Sequence, residues 1–291
     1  MGSHYFSRMA RTPPYKRVVA LLGDGAGRPG ASDVDPGSLE QVADATMAAS
    51  VDGLAMAKAD LGLAYCFYLL AQIPRTAAGQ GDDFAAGLER VGLSPPRRAL
   101  GLPDAVVRAG DAGTTRYTVF ALAAGFVASV DRRLREERAR TDIGELGQLA
   151  ATESLCALSL DEAQTLFGST EESVRRSLAR LSTDRGFGAL AHDFFARLVR
   201  RYLEYHLSRE LSNHVGPGRR FASADEHNEF LVALDRHCRV ATSVLVDFAV
   251  GWYGLHDFRD DITPEKAGGF VAHALDLVRG ALVYQEGRDV Q

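Results

Sequence analysis

From residue 114 to residue 284, apolar side chains recur every three or four positions with polar ones between them. Such a chain cannot bury those side chains as strands. A strand alternates at every second residue and would turn half of them to water. Amphipathic helices bury them on one face. Few runs anywhere in the 291 residues alternate in the strand manner. The pattern predicts an all-α multi-helix bundle. A short strand is allowed at "RVVALL" (17–22), after an irregular N-terminal arm.

Helices are expected near 61–72 and 82–91, then at 114–138, 142–158, 160–167, 170–181, 188–213, 224–252 and 264–284. Thr263, followed by Pro264 and Glu265, is a strong start signal. Asp35 with Pro36 is another. Residues 92–113 carry three prolines and repeated glycines, which marks a boundary. The expected organisation is an irregular arm and Gly-rich loop (1–36), a small helical part (37–92), a connector (93–113) and a main helical bundle (114–291).

The longest uncharged apolar runs, 61–74 and 117–130, fall short of the roughly 20 residues a bilayer demands. Both read as core helices, so no membrane segment is expected. No apolar stretch follows Arg8 and Arg11 as a signal peptide requires. The 3 cysteines, Cys66, Cys156 and Cys238, are an odd number and widely separated. They fit free thiols in a reducing compartment, and the expectation is a cytoplasmic protein of a bacterial cell. A net charge of -5 gives no overall attraction to nucleic acid or acidic lipid.

Three motifs bear on chemistry. Gly25, Gly27 and Gly30 spell G-x-G-x-x-G. A dinucleotide site needs a helix opening at the third glycine, whereas here Pro29 and more loop intervene. No cofactor is expected. The stretch "SLDEAQTLFGSTEESVRRSLARL" (159–181) resembles a helix-turn-helix DNA-binding unit. Ala163, Leu166, Gly168, Val174, Leu178 and Leu181 stand near its packing and turn positions. The resemblance implies that Arg175, Arg176 and Arg180 would face DNA. Glu171 and Glu172 at the start of that helix oppose phosphate contact. A capped helical hairpin is the structural alternative.

The third motif is "RRYLEYHLSRELSNHVGPGRRF" (200–221), which holds R-x-x-x-x-H twice: Arg201 to His206 and Arg209 to His214. This pairing resembles that of HEPN-type ribonucleases, small all-α domains often found in bacterial toxin and defence systems. The resemblance implies a metal-independent ribonuclease in which Arg209 stabilises phosphate charge and His214 transfers a proton. Tyr202 stands where those nucleases carry a polar residue. On a helical wheel Phe194, Phe195, Leu198, Val199, Tyr202, Leu203 and Tyr205 form the inward face, while Arg200, Arg201 and Glu204 fall opposite, toward water. His206, Arg209, Glu210, Asn213 and His214 then fall on the inward side. They break the apolar pattern and call for polar partners. His227 and Asp235 on the next helix are the candidates, with Arg219 and Arg220 in the connecting loop as an anion or acidic-surface site. No metal is expected. His206 and His214 are about 12 Å apart at 1.5 Å per residue, too far for one ion with bonds near 2 Å.

With no complete catalytic motif, the leading expectation is a non-catalytic helical subunit acting through another protein, or through its own copies. The ribonuclease and DNA-binding readings are the alternatives.

Overall fold

In the computed structural model, the described residues are 57–79, 84–93, 119–163, 171–217, 219 and 221–288, with Lys16, Val18, Thr46, Leu54 and Ala55. The glycine motif at Gly25, Gly27 and Gly30 and residues 94–113 of the connector lie outside them.

Nine α-helices occur among the described residues: α1 (Leu61–Ala78), α2 (Phe84–Arg90), α3 (Val119–Glu136), α4 (Asp142–Ala163), α5 (Glu171–Arg180), α6 (Asp184–Asn213), α7 (Ala224–Thr242), α8 (Leu245–Phe258) and α9 (Pro264–Arg288). A 3-10 turn at Ala57–Ala59 precedes α1. The chain is all-α, as its periodicity requires. No helix among the described residues is long and apolar enough to cross a membrane.

The ends of these helices follow from local chemistry. Asp60 caps α1 by accepting from the Leu63 amide at 2.9 Å, and it accepts from the Thr141 hydroxyl at the start of α4. α1 does not stop near residue 72, as expected, but runs through Pro74 to Ala78. Proline removes one backbone donor. Here Leu70, Ile73 and Ala77 are buried on either side of it and hold the segment helical. Nor is 160–167 a separate helix at its start, because α4 continues unbroken through Ser159 to Ala163. α9 begins at Pro264, with the Thr263 hydroxyl accepting from the Lys266 amide.

The expected single helix 224–252 is two. After Cys238 the Thr242 hydroxyl donates back to the Cys238 and Arg239 carbonyls, and Ser243 donates to Val240. These side chains compete with the backbone amides for the last carbonyls, which ends α7 there. At its start α7 is held by two reciprocal side-chain bonds. Ser223 accepts from the Glu226 amide, and the Glu226 carboxylate accepts from the Ala222 amide at 2.7 Å.

The chain divides into two compact units. One gathers residues 1–58, 195–245 and 272–291; the other gathers 59–194 and 246–271. In the first, Leu198, Val199, Leu203 and Leu207 of α6 are buried, as are Phe230, Leu234 and Cys238 of α7. Tyr205, placed on the inward face by its wheel angle, is 47% exposed. In the second, Phe67 of α1 stacks on Phe270 of α9 at 4.3 Å, and Phe187 of α6 stacks on Tyr253 of α8 at 4.1 Å. Trp252 packs against Phe67 and Phe270. Burial pushes the Cys66 and Cys238 thiols well above their usual range, so both stay protonated and unreactive.

Candidate functional site

The polar segment of α6 is the first place to look. The α6 backbone is helical through Asn213, so the breach of apolar pattern sits on a continuous helix. The side chains of His206, Arg209, Glu210 and Arg220 lie outside the described residues. Asn213 and Arg219 are exposed. His214 is half-buried, and its Nδ1 is sealed from water with no hydrogen-bond partner. The loop that follows is held by its own backbone. Phe221 donates to the His214 carbonyl at 2.9 Å, and Gly216 donates to the Phe221 carbonyl at 2.8 Å. Gly216 has φ 130, a left-handed conformation suited to glycine. His227 meets the Phe221 ring edge-on at 5.5 Å.

Asp235 takes different partners from those its helix phase suggested. It accepts from Arg200 at 3.2 Å and from Arg239 at 2.9 Å. Arg200 also donates to Glu204 at 2.8 Å. Thus Arg200 and Glu204, expected to face only water, form a half-exposed network with Asp235 that ties α6 to α7. These carboxylates hold the Arg200 guanidinium above its ordinary range against the opposing effect of burial. Such a network supports a helical hairpin.

The arginines of the helix-turn-helix resemblance divide. Arg175 donates to the carbonyls of Ala77 and Gly79 and so completes the C-terminal end of α1. Arg176 pairs with Glu172 one turn earlier, and Arg180 is exposed at the end of α5. Residues 164–170, where the turn would fall, lie outside the described residues.

A cavity of about 590 Å³ lies in the second unit, beside the C-terminal end of α1. Its lining includes Gln72, Arg75, Arg90, Tyr253, Asp257 and Asp260. Arg75 bonds Asp257 at 2.6 Å and Asp260 at 2.7 Å. Asp260 has φ 52, and its amide and that of Asp261 close the end of α8 on the Asp257 and His256 carbonyls. Tyr253 is 1% exposed, and its hydroxyl has no hydrogen-bond partner. Burial and then the Asp257 charge push that phenol up, so it stays a proton donor. The Arg90 Nε donates to the Ala86 carbonyl at 3.3 Å, and no carboxylate among the described residues pairs with it.

Next to this end of α8, the Asp261 carboxylate accepts from Lys266 and is bonded to His256 Nδ1 at 2.6 Å. A carboxylate on Nδ1 fixes an imidazole's tautomer. Among the described residues no serine, threonine or cysteine bonds its other nitrogen. No group of three or more metal-ligating side chains occurs among the described residues.

Sequence reasoning missed this cavity. Its signals are a lone arginine after proline in an otherwise apolar helix, "LAQIPRT", and the charged run "HDFRDD" (256–261) closing an apolar helix. Comparison with protein-family models, with curated proteins and with solved structures found no match to the chain.

Proposed function

We propose that this chain is a non-catalytic helical subunit that works by binding another protein inside a bacterial cell. The observation that supports this reading is a row of valines on the outer side of α7 and its end. Val232, Val240 and Val244 are 65%, 54% and 44% exposed. Val232 and Val240 lie two turns apart on α7 with Arg236 between them, and Val244 follows in the turn after Thr242. A β-branched side chain costs about 0.5 kcal/mol in a helix relative to alanine, and in water it returns little burial. Single exposed apolar residues are ordinary. A row along one ridge is the pattern of a helix that finishes its burial against a partner.

The test pairs the wild-type chain with a Val232→Glu/Val240→Glu variant. Both are isolated from native cells under mild cross-linking, and light scattering reports self-association. The wild type should hold a defined protein partner, or a second copy of itself, and the double variant should lose it. A wild-type chain that stays solitary and cleaves RNA sinks this reading and favours the ribonuclease alternative. In that case Arg209→Ala and His214→Ala should abolish cleavage.

A further inference from the structure

One side of α8 is left in water although its side chains are not polar. Phe258 is 88% exposed, the highest value for a large apolar side chain among the described residues, and Leu255 is exposed with it. Asp247, Gly251 and Arg259 are exposed too. At 3.6 residues per turn, Asp247, Gly251, Leu255 and Phe258 share one side of the helix. The other side is taken by the core, where Ala249 and Tyr253 are buried and Phe187 stacks on Tyr253. Gly251 serves no packing inside the chain, because a Cβ there would meet nothing within 4 Å. Glycine is a poor helix former, so helix stability does not explain it either. What it does is leave a hollow on the outer surface, next to the projecting Leu255.

This side of α8 is complementary to itself. Set two copies of the helix antiparallel, with a two-fold axis level with Tyr253. Each Leu255 then stands level with Gly251 of the second copy, and a projecting side chain enters a hollow twice. Asp247 stands level with Arg259 of the second copy, within reach of that long side chain, and this contact also occurs twice. Arg259 continues the helical turn, its amide donating to the Leu255 carbonyl at 3.2 Å. The carboxylates near it in sequence are engaged elsewhere. Asp257 and Asp260 are held by Arg75, and Asp261 by Lys266 and His256. A parallel pairing would instead oppose Asp247 to Asp247 and Arg259 to Arg259, which is repulsive.

We propose that α8 pairs with α8 of a second copy of this chain, antiparallel, through Gly251, Leu255 and Phe258, with Asp247 and Arg259 forming reciprocal ion pairs. Pairing removes the most exposed aromatic ring from water. The face belongs to the other compact unit from Val232 and Val240. The inference therefore goes beyond the valine row on α7, and either can stand without the other.

Sedimentation velocity on the full chain, from about 1 µM to about 500 µM, reads the outcome. The mass should rise with concentration from one chain of 31.4 kDa to two. The contact covers about three helical turns, less than a permanent interface buries, so the dimer should be reversible. Leu255→Glu/Phe258→Glu should weaken it about tenfold or more. Gly251→Met keeps the face apolar but fills the hollow, and should weaken it as well. Asp247→Arg alone or Arg259→Asp alone should weaken it several-fold. The two together should restore it, because the ion pair is then reversed in both copies. Far-ultraviolet dichroism checks that each variant keeps its helices. Val232→Glu/Val240→Glu should leave this dimer intact. A chain that stays single over the whole range overturns the proposal and leaves the face to a different protein. So does a dimer that Leu255→Glu/Phe258→Glu leaves unchanged, or one that the double charge reversal fails to restore. A dimer lost only in Val232→Glu/Val240→Glu belongs to α7, which sinks this proposal and supports the valine row.

Discussion

Asp261 shows how one carboxylate can join two helices. It lies between α8 and α9 and holds both Lys266 and His256. The bond from Lys266, then that from His256, keeps its carboxyl below the ordinary carboxylate value of 3.8. A carboxylate with a lowered folded pKa stabilises the fold at every pH above its unfolded value. That contribution is lost as pH falls from about 4 through the lower folded value. Asp261→Asn removes the charge and keeps the shape. Melting temperatures measured from neutral pH down to acid should show the variant less stable at neutral pH. The gap should close as pH drops below the carboxylate range. A gap of constant size down to pH 2 would mean that the pair contributes no pH-dependent stability.

Among elements, the crossing of α1 and α4 depends on small residues. A Cβ on Gly62 would lie 2.9 Å from the Gly144 Cα, a backbone atom that cannot swing aside. Gly147 is closer still to Leu63, where a Cβ would meet the side chain at 2.2 Å. Gly62→Ala should therefore separate the helices and cost about 1–3 kcal/mol. Gly280 in α9 has nothing within 4 Å of such a Cβ. Gly280→Ala should instead stabilise, by up to about 1 kcal/mol, through helix propensity alone. Denaturant midpoints of the two variants should move in opposite directions. Two shifts of the same sign would refute the close-packing account.

The same elements show what the sequence could tell. The helical periodicity, the Thr263 start of α9 and the buried faces of α6 and α7 all express one-dimensional repeats, and those are legible. The continuation of α1 through Pro74 was not, because burial from other helices outweighs one missing backbone bond. The break at Ser243 was hidden because it arises from hydroxyls folding back on carbonyls within an unbroken apolar period. At the candidate site, the polar end of α6 was visible as a breach of pattern. The partner of Asp235 was not. A wheel places Cβ atoms, and the long Arg200 side chain reaches around the shoulder of its helix. The cavity was invisible for a simpler reason: Arg75 and Asp257 meet across 182 positions of sequence.

At the scale of the whole chain, each compact unit is built from segments far apart in sequence. Residues 59–194 form the larger part of one unit, but its aromatic cluster is completed by residues 246–271. That second segment supplies Trp252, Tyr253 and Phe270 to Phe67 and Phe187. Removing one large buried aromatic side chain costs about 3–5 kcal/mol, and a domain's whole stability is about 5–15 kcal/mol. Losing three at once should exceed what the remaining core can hold. A fragment of residues 59–194 should therefore keep its helical far-ultraviolet signal in part and lose its near-ultraviolet signal. It should also bind a hydrophobic dye and melt without a cooperative transition. Co-expression with residues 246–271 should restore the near-ultraviolet signal and a sharp transition. If residues 59–194 alone melt cooperatively, the aromatic cluster is not what closes this unit, and its stability must reside in the packing of α1 against α4 and α5.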